Sequence, residues 1–286
     1  MNVYDFAEQI LFGKSLEDKL IHHRLQDFNY DESNFSKKIL LPKLPERDQQ
    51  IKISEVQAKF PKKSTFHLDD KKAMALHFFA NHELLAIEMM AAAILTYDFE
   101  NPEEKKQFHK GLVKTIIDEQ KHLKLYTNRM KEWKLNLGDL PLNDFFWNYM
   151  PELKTPSMFY AAMALTFESA NLDFANYYSL SFKEVGDDKT AEIMRIVYED
   201  EISHVALGAK WLNQWRNDKD LWTYYQENLP ALLTPNRAKG IHYREEYRKE
   251  AGLDDHFCQN LTAFEDGFRV TKRKTWGQEL PDGNEG

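Results

Sequence analysis

Asp118-Glu119-Gln120-Lys121-His122 and Asp200-Glu201-Ile202-Ser203-His204 both read D-E-x-x-H. On an α-helix, positions three apart share a face, so each copy aims one carboxylate and one imidazole at a common point. Such a pair suits a divalent metal ion, the carboxylate supplying charge and the imidazole a neutral nitrogen. A single match is more often a solvated helix face than a ligand pair. Two matches on helices of similar layout call for a common explanation.

Those helices can be read from the surrounding pattern. Helix A runs from about Asp70 to Tyr97, ending near Asn101-Pro102. Helix B starts at Pro102, a favoured first-turn residue, and continues to about Trp133. Gly138 and Pro141 break the pattern, and Leu142 to Tyr149 suggests a short connecting helix. Helix C follows Pro156 to about Phe182, Gly186-Asp187-Asp188 closes it, and helix D runs from about Lys189 to Trp215. Glu83 precedes Glu119 by 36 residues and Glu168 precedes Glu201 by 33, so A-B and C-D read as two antiparallel hairpins related by internal pseudo-symmetry. The predicted fold is all-α. It is a ferritin-like four-helix bundle over residues 70–216, a wrapping N-terminal segment over 1–69, and a C-terminal helical extension and tail over 217–286. Ser15 is placed to cap a first turn, Leu221 to Leu233 and Asn236 to Glu250 read as further helices, and Gly277 to Gly286 as a frayed end.

In such bundles two helices each contribute a Glu and two each contribute a Glu-x-x-His, all pointing inward. The candidate ligands are Glu83, Glu119, His122, Glu168, Glu201 and His204. Their four carboxylates balance two divalent ions, which matters because burying unpaired carboxylates is expensive. Glu83 and Glu168 lie in largely apolar, aromatic runs, where a carboxylate needs a partner. Each has a second acid five residues on, Glu88 and Asp173. Five residues is about 140° of turn, so neither shares a face with the earlier acid. An interhelix contact or solvent is the simpler reading, and periodicity alone leaves Glu88 open beside Glu83. Iron and manganese accept mixed oxygen and imidazole donors, whereas structural zinc prefers thiolates. Asp118 and Asp200 are candidates to receive the second ring N–H of the histidines, each serving the opposite motif. The pairs Phe78-Phe79, Met89-Met90 and Tyr177-Tyr178 read first as core packing and second as pocket walls. The other histidines match no ligand spacing.

The bulk properties set limits. A chain of 286 residues with 42% hydrophobic and 13% aromatic side chains can bury a large core. Its formal charge of −8 argues against general nucleic-acid affinity. A lone cysteine, Cys258, excludes an internal disulfide and suits a reducing cytoplasm. Acidic residues around the first apolar positions are unlike a secretory signal. Phe78 to Tyr97 is apolar enough to resemble a membrane span, but Glu83 and Glu88 fall inside it, and mid-membrane charge costs roughly 2.5 kcal/mol or more. A buried helix and no membrane association are expected.

Glu83 within His82-Glu83-Leu84-x-Ala86-Ile87-Glu88, Phe167-Glu168-Ser169-Ala170 and the two D-E-x-x-H copies resemble a bacterial ferritin-like family catalogued as a domain of unknown function. Ile10-Leu11, Leu16 to Leu20 and Arg248 to Leu253 carry the resemblance to about Thr262. The resemblance implies Glu83, not Glu88, as the helix A ligand. This family is in turn similar, more distantly, to the di-iron tRNA hydroxylase that oxidises a prenylated, methylthiolated adenosine. That kinship implies fold and chemistry more than substrate. For tRNA to be a partner, Lys37-Lys38, Lys62-Lys63, Lys71-Lys72 and Arg269 to Lys274 would have to gather into a basic patch. The expectation is a non-haem di-iron enzyme (two Fe, with Mn or Fe/Mn as variants) that uses O₂ to oxidise or hydroxylate a small organic substrate. It needs an external electron donor, since the chain carries no flavin or nicotinamide motif. The alternative is a metal-storage or peroxide-detoxifying protein, although long terminal appendages suit a pocket better than a cage.

Overall fold

The computed structural model describes residues 1–21, 23–30 and 39–266. Regular structure among them is helical, with two isolated β-bridges, Asn2 to Asn29 and Ile53 to Leu142. Helices α1 (Val3–Phe12) and α2 (Leu16–Lys19) precede a long irregular stretch, and Ser15 caps α2 in a reciprocal box with Asp18. Then come α3 (Asp69–Thr96) and α4 (Pro102–Glu132), the latter capped by Asn101 with Pro102 in its first turn. Helix C of the sequence reading is α5 (Pro156–Ala162), a π-helical turn (Met163–Glu168) and α6 (Ser169–Glu184). Helix D is α7 (Asp188–Trp215), followed by α8 (Leu221–Glu227), α9 (Glu245–Glu250) and α10 (Asp255–Ala263).

The chain divides into two compact units: Met1–Phe159 with Ser181–Ile193, and Tyr160–Leu180 with the chain from Met194 onward. In the first unit, α3 and α4 form an antiparallel hairpin closed by a short loop. Phe79 packs on Tyr126 and Tyr97 on Phe108, pairs whose numbers both add to 205. In that register Glu83 lies opposite His122. Helix α3 is long and apolar enough to cross a membrane, but 83% of its apolar window is buried, as in a core helix. Helix α1 packs against it.

The five-residue offset of Glu88 from Glu83 turns Glu88 towards the N-terminal segment. There it is fully buried, 2.6 Å from Arg47 Nη2 and 3.2 Å from Lys19 Nζ. Lys19 also donates to the carbonyls of Ile10 and Glu46 at 2.6 and 2.8 Å. Burial pulls its ammonium below the usual value, opposed by Glu88. The N-terminal segment is thus tied to α3 by buried charge through Lys19 and Arg47.

The second unit repeats the scheme. Asn171 bonds Glu201, and Ala164 approaches Gly208; both pairs add to 372, the register that sets Glu168 opposite His204. A Cβ on Gly208 would meet the Ala164 Cβ at 2.2 Å, so glycine is what permits this close approach. Asp173, five residues after Glu168, is again turned away and buried. It accepts both guanidinium nitrogens of the fully buried Arg248, at 2.5 and 2.7 Å. It also accepts the backbone N–H groups of Gly240 and Arg244. Burial pushes the Asp173 carboxyl up, against the pull of Arg248.

Several expectations change. The connecting helix at Leu142 to Tyr149 is a single turn, Trp147–Tyr149. The span Asn236 to Glu250 is not one helix: Gly240 and Arg244 give their N–H groups to Asp173, and His242 takes a positive φ of 56°. That diverts the backbone from helical bonding until α9. Helix α10 lies beyond the predicted elements. Lys37-Lys38, Arg269 to Lys274 and Gly277 to Gly286 lie outside the described residues.

Candidate metal centre

Each hairpin presents a glutamate opposite a D-E-x-x-H motif. Glu119 and His122 on α4 are fully buried, and His122 Nδ1 lies 3.1 Å from Glu119 Oε2. On α7, His204 Nδ1 lies 2.9 Å from Glu201 Oε2, both side chains being buried. Two donors at right angles around one ion, each about 2.1 Å from it, are about 3 Å apart. The nitrogen and oxygen of each motif therefore already have the spacing of neighbouring ligands. Glu83 and Glu168 are also buried.

The structure gathers the six predicted ligands into two overlapping groups. Ligand atoms of Glu83, Glu119, His122 and Glu201 lie within 4.8 Å of one another, as do those of Glu119, Glu168, Glu201 and His204. Opposite ligands of one ion are about 4.2 Å apart, so each group is close to the size that one cation draws together. Glu119 and Glu201 belong to both groups. Glu83 and His122 belong to the first group alone, and Glu168 and His204 to the second. Four carboxylates against two imidazoles is an acidic donor set, which two divalent cations would neutralise.

Several residues that carry no recognisable signal in the sequence hold this set in place. Asn171 donates to Glu201 Oε1 at 2.7 Å, fixing a carboxylate whose other oxygen faces His204. Its counterpart by spacing in the other hairpin is Ala86, so the pseudo-symmetry is broken here. The π-turn ends on Glu168 itself. Such turns insert one residue into the helical ladder and are frequent at functional sites. Thr166 occupies the widened turn: its hydroxyl donates to Ala161 O at 2.8 Å and pairs with the Tyr225 hydroxyl at 2.8 Å. One residue beyond Glu168, Ser169 O accepts Arg248 Nη2 at 2.5 Å. Glu168 is thereby bracketed by two contacts from the C-terminal segment.

Asp118 and Asp200 are half-buried beside their motifs. Glu88 and Asp173 are in neither ligand group, being the buried anchors described above. Met89 and Met90 are core residues, whereas Phe78 and Phe79 are half-buried against Phe60. His77 accepts the Gly138 N–H at Nε2, and burial pushes its imidazole down to about 4. Of the basic pairs, Lys63 bonds Glu184, Lys71 bonds Asp70, and Lys72 bonds Asp69 and Asp187. Cys258 is buried and free.

A family model described as "Protein of unknown function (DUF455)" matches residues 6–259. The chain belongs to that family. No curated protein and no solved structure matches it. The span shared with DUF455 includes all six candidate ligands and the anchoring residues Lys19, Arg47 and Arg248.

Proposed function

We propose that this DUF455 protein is a non-haem di-iron carboxylate oxidase or hydroxylase built on a ferritin-like four-helix bundle. The observation that carries the reading is the pair of ligand groups sharing Glu119 and Glu201. A single structural ion would need one group; two groups with common carboxylates suit two ions about 3.5–4 Å apart. Glu83 with His122, and Glu168 with His204, would complete one ion each. Mixed carboxylate and imidazole donors suit iron, with manganese or a mixed pair as variants. When bound, two ferrous ions supply electrons for reducing O₂.

The chain's own residues set the conditions for that chemistry. Asn171 holds Glu201 in one orientation, and the α3/α4 and α6/α7 registers keep each terminal acid opposite its histidine. With Nδ1 turned to its own motif, each histidine has Nε2 for an outer partner, the role proposed for Asp118 and Asp200. The substrate is a small organic molecule, and electrons come from an external donor. The similarity to the di-iron tRNA hydroxylase belongs to this proposal for its chemistry. The carboxylate-paired Lys63, Lys71 and Lys72 offer little support for tRNA itself. Storage is the alternative reading.

Oxygen uptake after anaerobic Fe(II) loading, combined with size-exclusion chromatography, tests the reading. Uptake in a small assembly, abolished by His204→Ala, is expected. A cage-sized assembly that mineralises iron supports storage instead.

A further inference from the structure

Below His204 on α7, the side chains that follow on the same face are redox-active. Trp211 and Trp215 are seven and eleven residues on, within about 20° of the azimuth of His204 and about 10 and 16 Å along the axis. Gly208 lies between, closely approached by Ala164 of the π-turn. The Trp211 and Trp215 rings are 4.8 Å apart between centroids. Tyr160 stacks on Trp211 at 6.4 Å with an interplanar angle of 11°, and lies 6.1 Å from Trp215. Trp211 is 4% exposed, while Trp215, the last residue of α7, is half-buried. The three rings run in close contact from the motif's helix face to the protein surface.

We propose that Trp211 and Trp215 form an electron relay that discharges an over-oxidised metal centre to the surface when no substrate is present. The proposal rests on the di-iron reading. Indole gives up an electron only to a strong oxidant, so the path operates on the oxidised side of the cycle. Trp211 gives one electron to the oxidised centre and becomes a radical cation, keeping its N–H proton. Trp215 then reduces Trp211 by one electron. An external thiol or ascorbate reduces Trp215 in turn, and no heavy-atom bond forms or breaks in these hops. The direction follows from surroundings: a cation is costly beside the buried Trp211, whereas Trp215 has partial solvation and the negative end of the α7 dipole. Burial pushes the Tyr160 phenol well above its usual value, so it keeps its proton and the indoles carry the charge.

The test uses the full chain, loaded anaerobically with Fe(II) and exposed to O₂ without reductant. Oxygen uptake, freeze-quench paramagnetic resonance and peptide mass spectrometry are followed together. A tryptophan radical is expected, with oxygenated product at Trp215 in preference to Trp133, which is also half-buried but lies on α4's C-cap. Ascorbate should suppress that product. Trp211→Phe should abolish it at Trp215 while uptake persists; if that variant does not fold, the Trp215-to-Trp133 comparison in the wild type decides alone. Uptake with equal oxidation of Trp133 and Trp215, or with none at Trp215, overturns the relay and leaves the di-iron reading intact. No uptake overturns both.

Discussion

Gly208→Ala sets two effects of similar size against each other, and the structure indicates which prevails. Alanine is favoured over glycine inside a helix by about 1 kcal/mol, so an open site would be stabilised. Here the new methyl would lie 2.2 Å from Ala164 Cβ and 3.0 Å from Leu165 Cδ1. Ordinary contact begins near 3.4 Å, so the π-turn and α7 must part locally by at least 1.2 Å. Overpacking of this kind costs about 1–3 kcal/mol, enough to cancel or exceed the propensity gain. The net expectation is a loss of up to about 2 kcal/mol in urea unfolding. The same displacement widens the gap between Glu168 and His204 one turn away. Disturbing residues that orient metal ligands costs about 10–100-fold in affinity, so Fe(II) affinity should fall by about tenfold or more. Competition with a chelating dye measures it. A variant that is more stable than wild type and binds iron equally well would refute the close approach of the π-turn to α7 and the register inferred from it.

Other perturbations test other parts of the structure. Arg248→Met leaves Asp173 buried without its guanidinium, a loss of about 3–5 kcal/mol in chemical denaturation; adding Asp173→Leu should recover much of it, and failure to do so would mean Arg248 acts mainly through Ser169 and Ala238. Glu88→Gln strands Lys19 and Arg47 in the same way and should cost about 3–5 kcal/mol, read by the urea midpoint; an exposed-site effect below about 1 kcal/mol would contradict the buried triad. His77 is held neutral in the fold, with a folded value of about 4 against 6.5 when unfolded. Between those values the unfolded chain binds more protons, so stability falls as pH drops through that window, by about 2 kcal/mol at pH 5 from this group. His77→Gln, which can still accept the Gly138 N–H, should flatten that part of the profile; an unchanged slope would assign it to other groups.

How much could be read from the sequence depended on how local each signal was. The limits of α3, α4 and α7 were legible because Pro102, Asn101 and Gly186-Asp187 punctuate long periodic segments. The two D-E-x-x-H copies were legible because a helix converts their spacing directly into a shared face. The π-turn was not, since the residues from Met163 to Glu168 look like any apolar helical run and the change lies in backbone bonding. Nor were the partners of Glu88 and Asp173: the five-residue offset showed that they face away, but Arg47 and Arg248 lie 41 and 75 residues distant in sequence. The shared position of Glu119 and Glu201 likewise required both hairpin registers, which no local pattern specifies. Asn236 to Glu250 reads as one helix in the sequence, yet only Glu245–Glu250 continues as α9, because Asp173, far away in sequence, captures the Gly240 and Arg244 N–H groups that a longer helix would use.

The most direct test of the central claim is the metal content of purified protein by elemental mass spectrometry, beside a Glu119→Ala/His204→Ala variant. Glu119 belongs to both ligand groups, so the variant should disable both at once. About two iron or manganese ions per chain, lost in the variant, is the expected result. Little metal in either protein, even after anaerobic Fe(II) loading, would contradict a dimetal centre and with it the oxidase reading.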